Sequence, residues 1–74
     1  MTTTIEKTKD AIIAALKNSL LQGSNSKLYI VREGISSVIS GLTYMKETNV
    51  IEVILSADKT HLTVQDSDSI ELRS

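Results

Sequence analysis

The chain has 74 residues, no cysteine and a single histidine, His61, which excludes disulfides, thiolate metal sites and any multi-histidine centre. Its net charge is −1 and its charged residues are of mixed sign, so no basic excess draws it toward nucleic acid by electrostatics alone. The only aromatics are Tyr29 and Tyr44, so the core must be built from Ile, Leu and Val.

A chain of this length hides a small core, which contributes only about 3–5 kcal/mol unaided. With disulfides excluded, association with another subunit is the expected supplement. The apolar share of 41% is ordinary for a soluble domain. No apolar stretch approaches the roughly 18 residues that cross a bilayer as a helix. The opening MTTTIEKTKD is polar where a secretory signal would be basic and then apolar. The expectation is a single domain over 1–74, cytoplasmic, with no membrane partner.

Thr3-x-x-Glu6 has capping-box spacing, and Ile5, Ile12, Leu16 and Leu20 follow at intervals of seven, four and four. Ala11, Ile13, Ala15 and Leu21 widen this stripe, while Lys7, Asp10, Lys17 and Asn18 fall mostly opposite. An amphipathic helix is expected over residues 4–22, with Gly23 just past its last turn and a Ser24-Asn25-Ser26 loop.

Residues 27–32, KLYIVR, read as a strand, and Glu33-Gly34 as the turn that follows. Residues 35–46 are ambiguous. Ile35, Val38, Ile39 and Leu42 have helical spacing, yet the serines, Thr43, Tyr44 and a mid-segment Gly41 suit a helix poorly. We read a strand here, with a short helix as the alternative. Val38, Leu42 and Tyr44 would share one face, Ile39, Thr43 and Met45 the other, and Gly41 would mark a bulge or a close backbone approach.

Residues 49–57, NVIEVILSA, form the densest β-branched run and read as the central strand of the sheet. Its odd face (Ile51, Val53, Leu55, Ala57) is apolar and is expected to seat the helix; its even face (Val50, Glu52, Ile54, Ser56) is mixed. Thr48-Asn49 leads into it, and 57–60 turn out of it. Residues 61–65 alternate as a half-buried strand. After a turn at 66–69, residues 70–73 read as an edge strand with Glu71 and Arg73 outward. The fold class is therefore α+β: an N-terminal helix packed on a small antiparallel sheet of four to five strands in meander order. The outline of a helix and five short strands is shared with Sm-like RNA-binding proteins. The Gly34–Gly41 spacing and the residues before the central strand do not reproduce that family's motif, and no family is assigned.

No catalytic, cofactor or metal-ligating constellation emerges. Asp66-x-Asp68-x-x-Glu71 departs from a calcium loop, with Ile70 where a ligand is required and Glu71 where glycine is required. His61 has no orienting partner beyond Asp58, an ordinary surface neighbour. Ser36, Ser37 and Ser40 lack a nucleophile-elbow context. Lys27, Arg32, Lys46 and Lys59, with the two tyrosines as stacking platforms, suggest a nucleic-acid surface, but Glu33, Glu47, Glu52 and Asp58 interleave with them.

One helix cannot cover both faces of a sheet, and the uncovered face would show a set drawn from Tyr29, Val31, Val50 and Ile54 around Glu52. The expectation is a non-enzymatic protein acting through protein–protein contacts, as a homo-oligomer or a subunit of a larger assembly. Its expected contact residues are Tyr29, Val31, Val50, Glu52 and Ile54. The alternative is a nucleic-acid-binding regulator using the sheet as a platform.

Overall fold

Four consecutive hairpin-linked strands form most of the molecule, and the two chain ends are added to one side of them. In the computed structural model, residues 1–21 and 23–74 are described. The elements are β1 (Thr2–Ile5), α1 (Lys9–Ser19), β2 (Lys27–Arg32), β3 (Ile35–Met45), β4 (Val50–Leu55), β5 (His61–Thr63) and β6 (Ser69–Arg73). They make one antiparallel six-stranded sheet in the order β1-β6-β2-β3-β4-β5, with α1 packed against β1, β2, β3 and β6. The α+β class holds. The meander holds only for β2 to β5.

The N-terminus departs from expectation. Thr2–Ile5 is a strand paired with β6, and the helix begins later. Three threonines and an isoleucine are stiff at χ1 and suit a pleated surface, and the pairing with β6 decides for the strand against the capping-box spacing. The true N-cap is Thr8, extended in backbone, whose hydroxyl accepts from the Ala11 amide at 3.3 Å. The helix is 11 residues long, not about 19, and Gly23 lies beyond its Leu20 C-cap. Of the expected stripe, Ile12 and Leu16 are buried with Ala15. Ile5 belongs to β1, and Leu20 is 71% exposed.

Residues 35–45 are a strand, and a long one. It enters through a two-residue turn in which Glu33 and Gly34 both take positive φ (52° and 79°), the geometry that matches strand twist in a tight hairpin. The first half of β3 pairs with β2 and the second half with β4, and the register shifts between Ile39 and Gly41. This bulge changes which side chains face inward. Ser37 lies opposite Ile30 and Ile39 opposite Leu55; past the bulge, Leu42 lies opposite Val53 and Tyr44 opposite Ile51. Ile39 therefore shares a face with Leu42 and Tyr44, and Val38 takes the other face. Val38 and Ile39 thus exchange places in the expected grouping, while Leu42 with Tyr44 and Thr43 with Met45 stay together as expected.

The core comprises Ile12, Ala15, Leu16, Leu28, Ile30, Ile39, Val53 and Ile70, with Ile5, Leu42, Ile51, Leu55, Leu62, Val64 and Leu72 packed around it. The apolar odd face of β4 contributes to it as expected. The strand is interior, between β3 and β5, although the middle of the sheet is β2–β3. The helix rests chiefly over the β1, β2, β3 and β6 side rather than over β4. Residues 70–73 are not an edge: β6 lies between β1 and β2, because the N-terminal strand occupies its outer side.

Candidate interaction surface

Cross-strand partners share a face of a sheet, so the register assigns the outward side chains. Tyr29 lies opposite Val38 and Glu71, and Val31 opposite Ser36 and Ser69. Val50 lies opposite Met45, Glu52 opposite Thr43 and Thr63, and Ile54 opposite Gly41 and His61. The structure thus brings Tyr29, Val31, Val50, Glu52 and Ile54 to the face away from the helix. They form two groups, one beside each half of β3.

All five are half-buried, because the sheet's own polar side chains partly roof that face. Arg73 lies over the Tyr29 ring, 4.6 Å from its centroid, and donates to Ser36 Oγ at 3.0 Å. Glu71 Oε1 fixes the guanidinium at 2.6 and 2.9 Å. Glu52 lies 3.5 Å from His61 Nδ1, so the histidine's neighbour is Glu52 and not Asp58. Asp58 instead accepts from the Thr60 amide at 3.1 Å in its own turn, and that bond lowers its pKa from the ordinary value. Ile54 lies over Gly41, where an added Cβ would sit 3.2 Å from Ile54 Cδ1. Both uses of Gly41 foreseen from the sequence, bulge and close approach, therefore occur together.

The apolar side chains that reach water furthest are not these five, although Met45, paired with Val50, shares their face. Met1 is 94% exposed, Leu20 and Leu21 follow the helix at 71% and 62%, Ile35 opens β3 at 69%, and Met45 closes it at 41%. The sequence placed Leu20 and Leu21 in the helical stripe. The signal against that was the proximity of Gly23, which left little room for another turn.

A buried ion pair stands on the helix side. The Asp68 side chain is fully buried and accepts from Arg32 Nε at 2.8 Å, Arg32 Nη2 at 2.7 Å and the Gln65 amide at 2.8 Å. Arg32 Nη2 also donates to the Thr63 carbonyl at 2.7 Å, tying the end of β2 to β5. The Arg32 hydrogen bond holds the Asp68 carboxyl below its ordinary pKa, against burial, with help from Gln65 and the charges of Arg32 and Lys7. Asp68 thus has a structural role. Its sequence neighbours do not converge with it: Glu71 serves Arg73 on the other face, and the Asp66 backbone carbonyl takes Lys7. Among the described residues no three His, Asp or Glu side chains are grouped to hold a metal ion.

Nor do the expected basic and aromatic residues make one platform. Tyr29 is outward and covered by Arg73. Tyr44 is on the helix side beneath Lys9, 4.8 Å from its ring centroid, with its hydroxyl bonded to Asn49. Arg32 is committed to Asp68. Ser40 Oγ donates to the Ile54 carbonyl at 3.3 Å, close to the bulge.

Compared with known proteins, the chain matches no family model, no curated protein and no solved structure. Among the described residues, no helix is long and apolar enough to cross a membrane.

Proposed function

We propose that this is a non-enzymatic protein that works through protein–protein contacts, as a homo-oligomer or as a subunit of a larger assembly. The observation that carries this reading is the exposure of Leu20, Leu21, Ile35 and Met45 on a chain whose buried apolar core is only eight residues among those described. Large apolar groups left in water on so small a domain are a cost unless a partner covers them. The outward set Tyr29, Val31, Val50, Glu52 and Ile54 adds half-buried apolar area under side chains that can be displaced, Arg73 above all. Tyr29 and Tyr44 on opposite faces favour contact with protein over a base-stacking platform. The compartment that goes with this proposal is the cytoplasm.

Light scattering at micromolar concentration tests the reading. It predicts a mass above one chain, or binding of an apolar dye to the native protein. A mass fixed at one chain, with no dye bound, overturns it.

A further inference from the structure

We infer that β1 is the junction between two copies of this chain, paired antiparallel about a two-fold axis at Thr3; this rests on the self-associating form of the reading above. Met1 and Ser74 exchange hydrogen bonds in both directions, Ser74 N to Met1 O at 3.1 Å and Met1 N to Ser74 O at 3.3 Å. Bonded and non-bonded pairs alternate along an antiparallel ladder, and Thr3↔Leu72 and Ile5↔Ile70 continue the bonded series. The N–H and C=O groups of Thr2 and Thr4 therefore point away from β6, at the open edge of the sheet.

The two outer edges are managed differently. β5 is three residues long, and the Thr63 carbonyl at its edge is occupied by Arg32. β1 is four residues long, with Thr2, Thr3 and Thr4 exposed, and carries no charge, proline or bulge within Thr2–Ile5. Those are the devices that keep edges from pairing, and an edge without them is a template for another strand.

The sequence of that edge is symmetric about its centre. With Thr3 on the axis, Thr2 meets Thr4 of the second copy in both directions and each pair exchanges two main-chain hydrogen bonds. Thr3 meets Thr3. Threonine pairs across strands combine β-branched packing with hydroxyl hydrogen bonds. On the outward face, Thr2 lies beside Arg73 and Thr4 beside Glu71, so the row crossing the junction runs from Arg73 of one copy to Glu71 of the other. Unlike charges flank the contact in both directions, and the result is one sheet continuous across two chains. An interface of this kind is isologous and closes at two.

Two substitutions in the full chain test this. Thr4→Pro removes a donor that points outward and leaves the β1–β6 bonds in place. Thr3→Cys places one cysteine per chain in a protein that has none, at a non-bonded pair whose Cα atoms lie roughly 4.5 Å apart, within disulfide reach. In sedimentation equilibrium the wild type gives twice the chain mass. Thr4→Pro raises the dissociation constant roughly tenfold or more, since two main-chain bonds are lost, with an unchanged circular dichroism spectrum. Under mild oxidation Thr3→Cys becomes a covalent dimer, and Ser67→Cys, at an exposed turn, does not. If Thr4→Pro is folded and dimerises as tightly as wild type, or Thr3→Cys crosslinks no faster than Ser67→Cys, the junction is refuted while self-association stands. A wild type with the mass of one chain refutes self-association, and the junction with it.

Discussion

The two faces of this sheet are built from the same kinds of residue and hold together by different means. On the helix side, Ile12, Leu28, Ile30, Val53 and Ile70 are wholly enclosed, and the Arg32–Asp68 pair locks the open end. On the other side, Tyr29, Val31, Val50 and Ile54 are only half-buried, and an arginine–glutamate pair lies over Tyr29 in contact with water. One face is close-packed and intolerant of change; the other is covered by side chains that can move aside. Stability therefore resides on the inner face, and the outer face has room for a partner. The difference also gives each arginine–carboxylate pair a different weight.

The inner face should show the largest effects. Ile30→Ala removes a fully buried side chain from the centre of the core, and comparable substitutions cost about 2–5 kcal/mol. In a domain of this size that is a large share of the total stability, so urea denaturation should give a sharply lowered midpoint or no cooperative transition.

Asp68→Asn comes next. Removing one partner of a fully buried pair costs roughly 3–5 kcal/mol; with 31% of the Arg32 side chain exposed, roughly 2–3 kcal/mol is expected. A thermal melt followed by circular dichroism should show a fall on the order of 10 °C or more. A change as small as that at a surface pair would erase the contrast between the two faces.

The same pair predicts the acid limb. The folded-state pKa of Asp68 is depressed, chiefly by Arg32, so the stabilisation is complete above the ordinary carboxylate value near 4 and is lost as pH falls through the depressed folded-state value. Urea midpoints measured from neutral pH downward should therefore hold steady to about pH 4 and then decline. In Asp68→Asn the decline should be shallower.

Arg73→Ala sits at the small end. Its bonds to Glu71 and its stacking on Tyr29 are made at the surface, where such pairs contribute up to about 1 kcal/mol. The substitution should leave the urea midpoint nearly unchanged while exposing Tyr29, which apolar-dye fluorescence would register. A large loss of stability would mean that the outer face carries the fold as well.

Much of this division was legible in the sequence. The strands at 27–32 and 50–55, the Glu33-Gly34 turn and the apolar odd face of β4 follow from alternation and turn chemistry, which are local. The five outward residues were legible for the same reason, since period-two alternation reports faces directly. What was hidden depends on partners distant in sequence. Alternation in 70–73 gives the faces of β6 but cannot show that Thr2–Ile5 pairs beside it, and so it read as an edge. The Thr3-x-x-Glu6 spacing satisfies a capping rule locally; only the pairing with β6 decides for a strand. The bulge regroups Ile39 with Leu42 and Tyr44 through a one-residue slip, to which a face assignment is most sensitive. Asp68 looked like one of three solvated carboxylates because its partner is 36 residues away.

Amide hydrogen exchange at β1 tests most directly the proposal that the free edge of the sheet pairs with a second copy. Thr3 and Ile5 donate toward β6 with or without a second copy, whereas the Thr4 amide faces outward and would gain a partner in the proposed dimer. Followed by NMR from low to high micromolar concentration, protection of the Thr4 amide should rise with protein concentration while that of Thr3 and Ile5 does not track it. A Thr4 amide that exchanges at one rate throughout, over a range in which the mass doubles, would contradict the account.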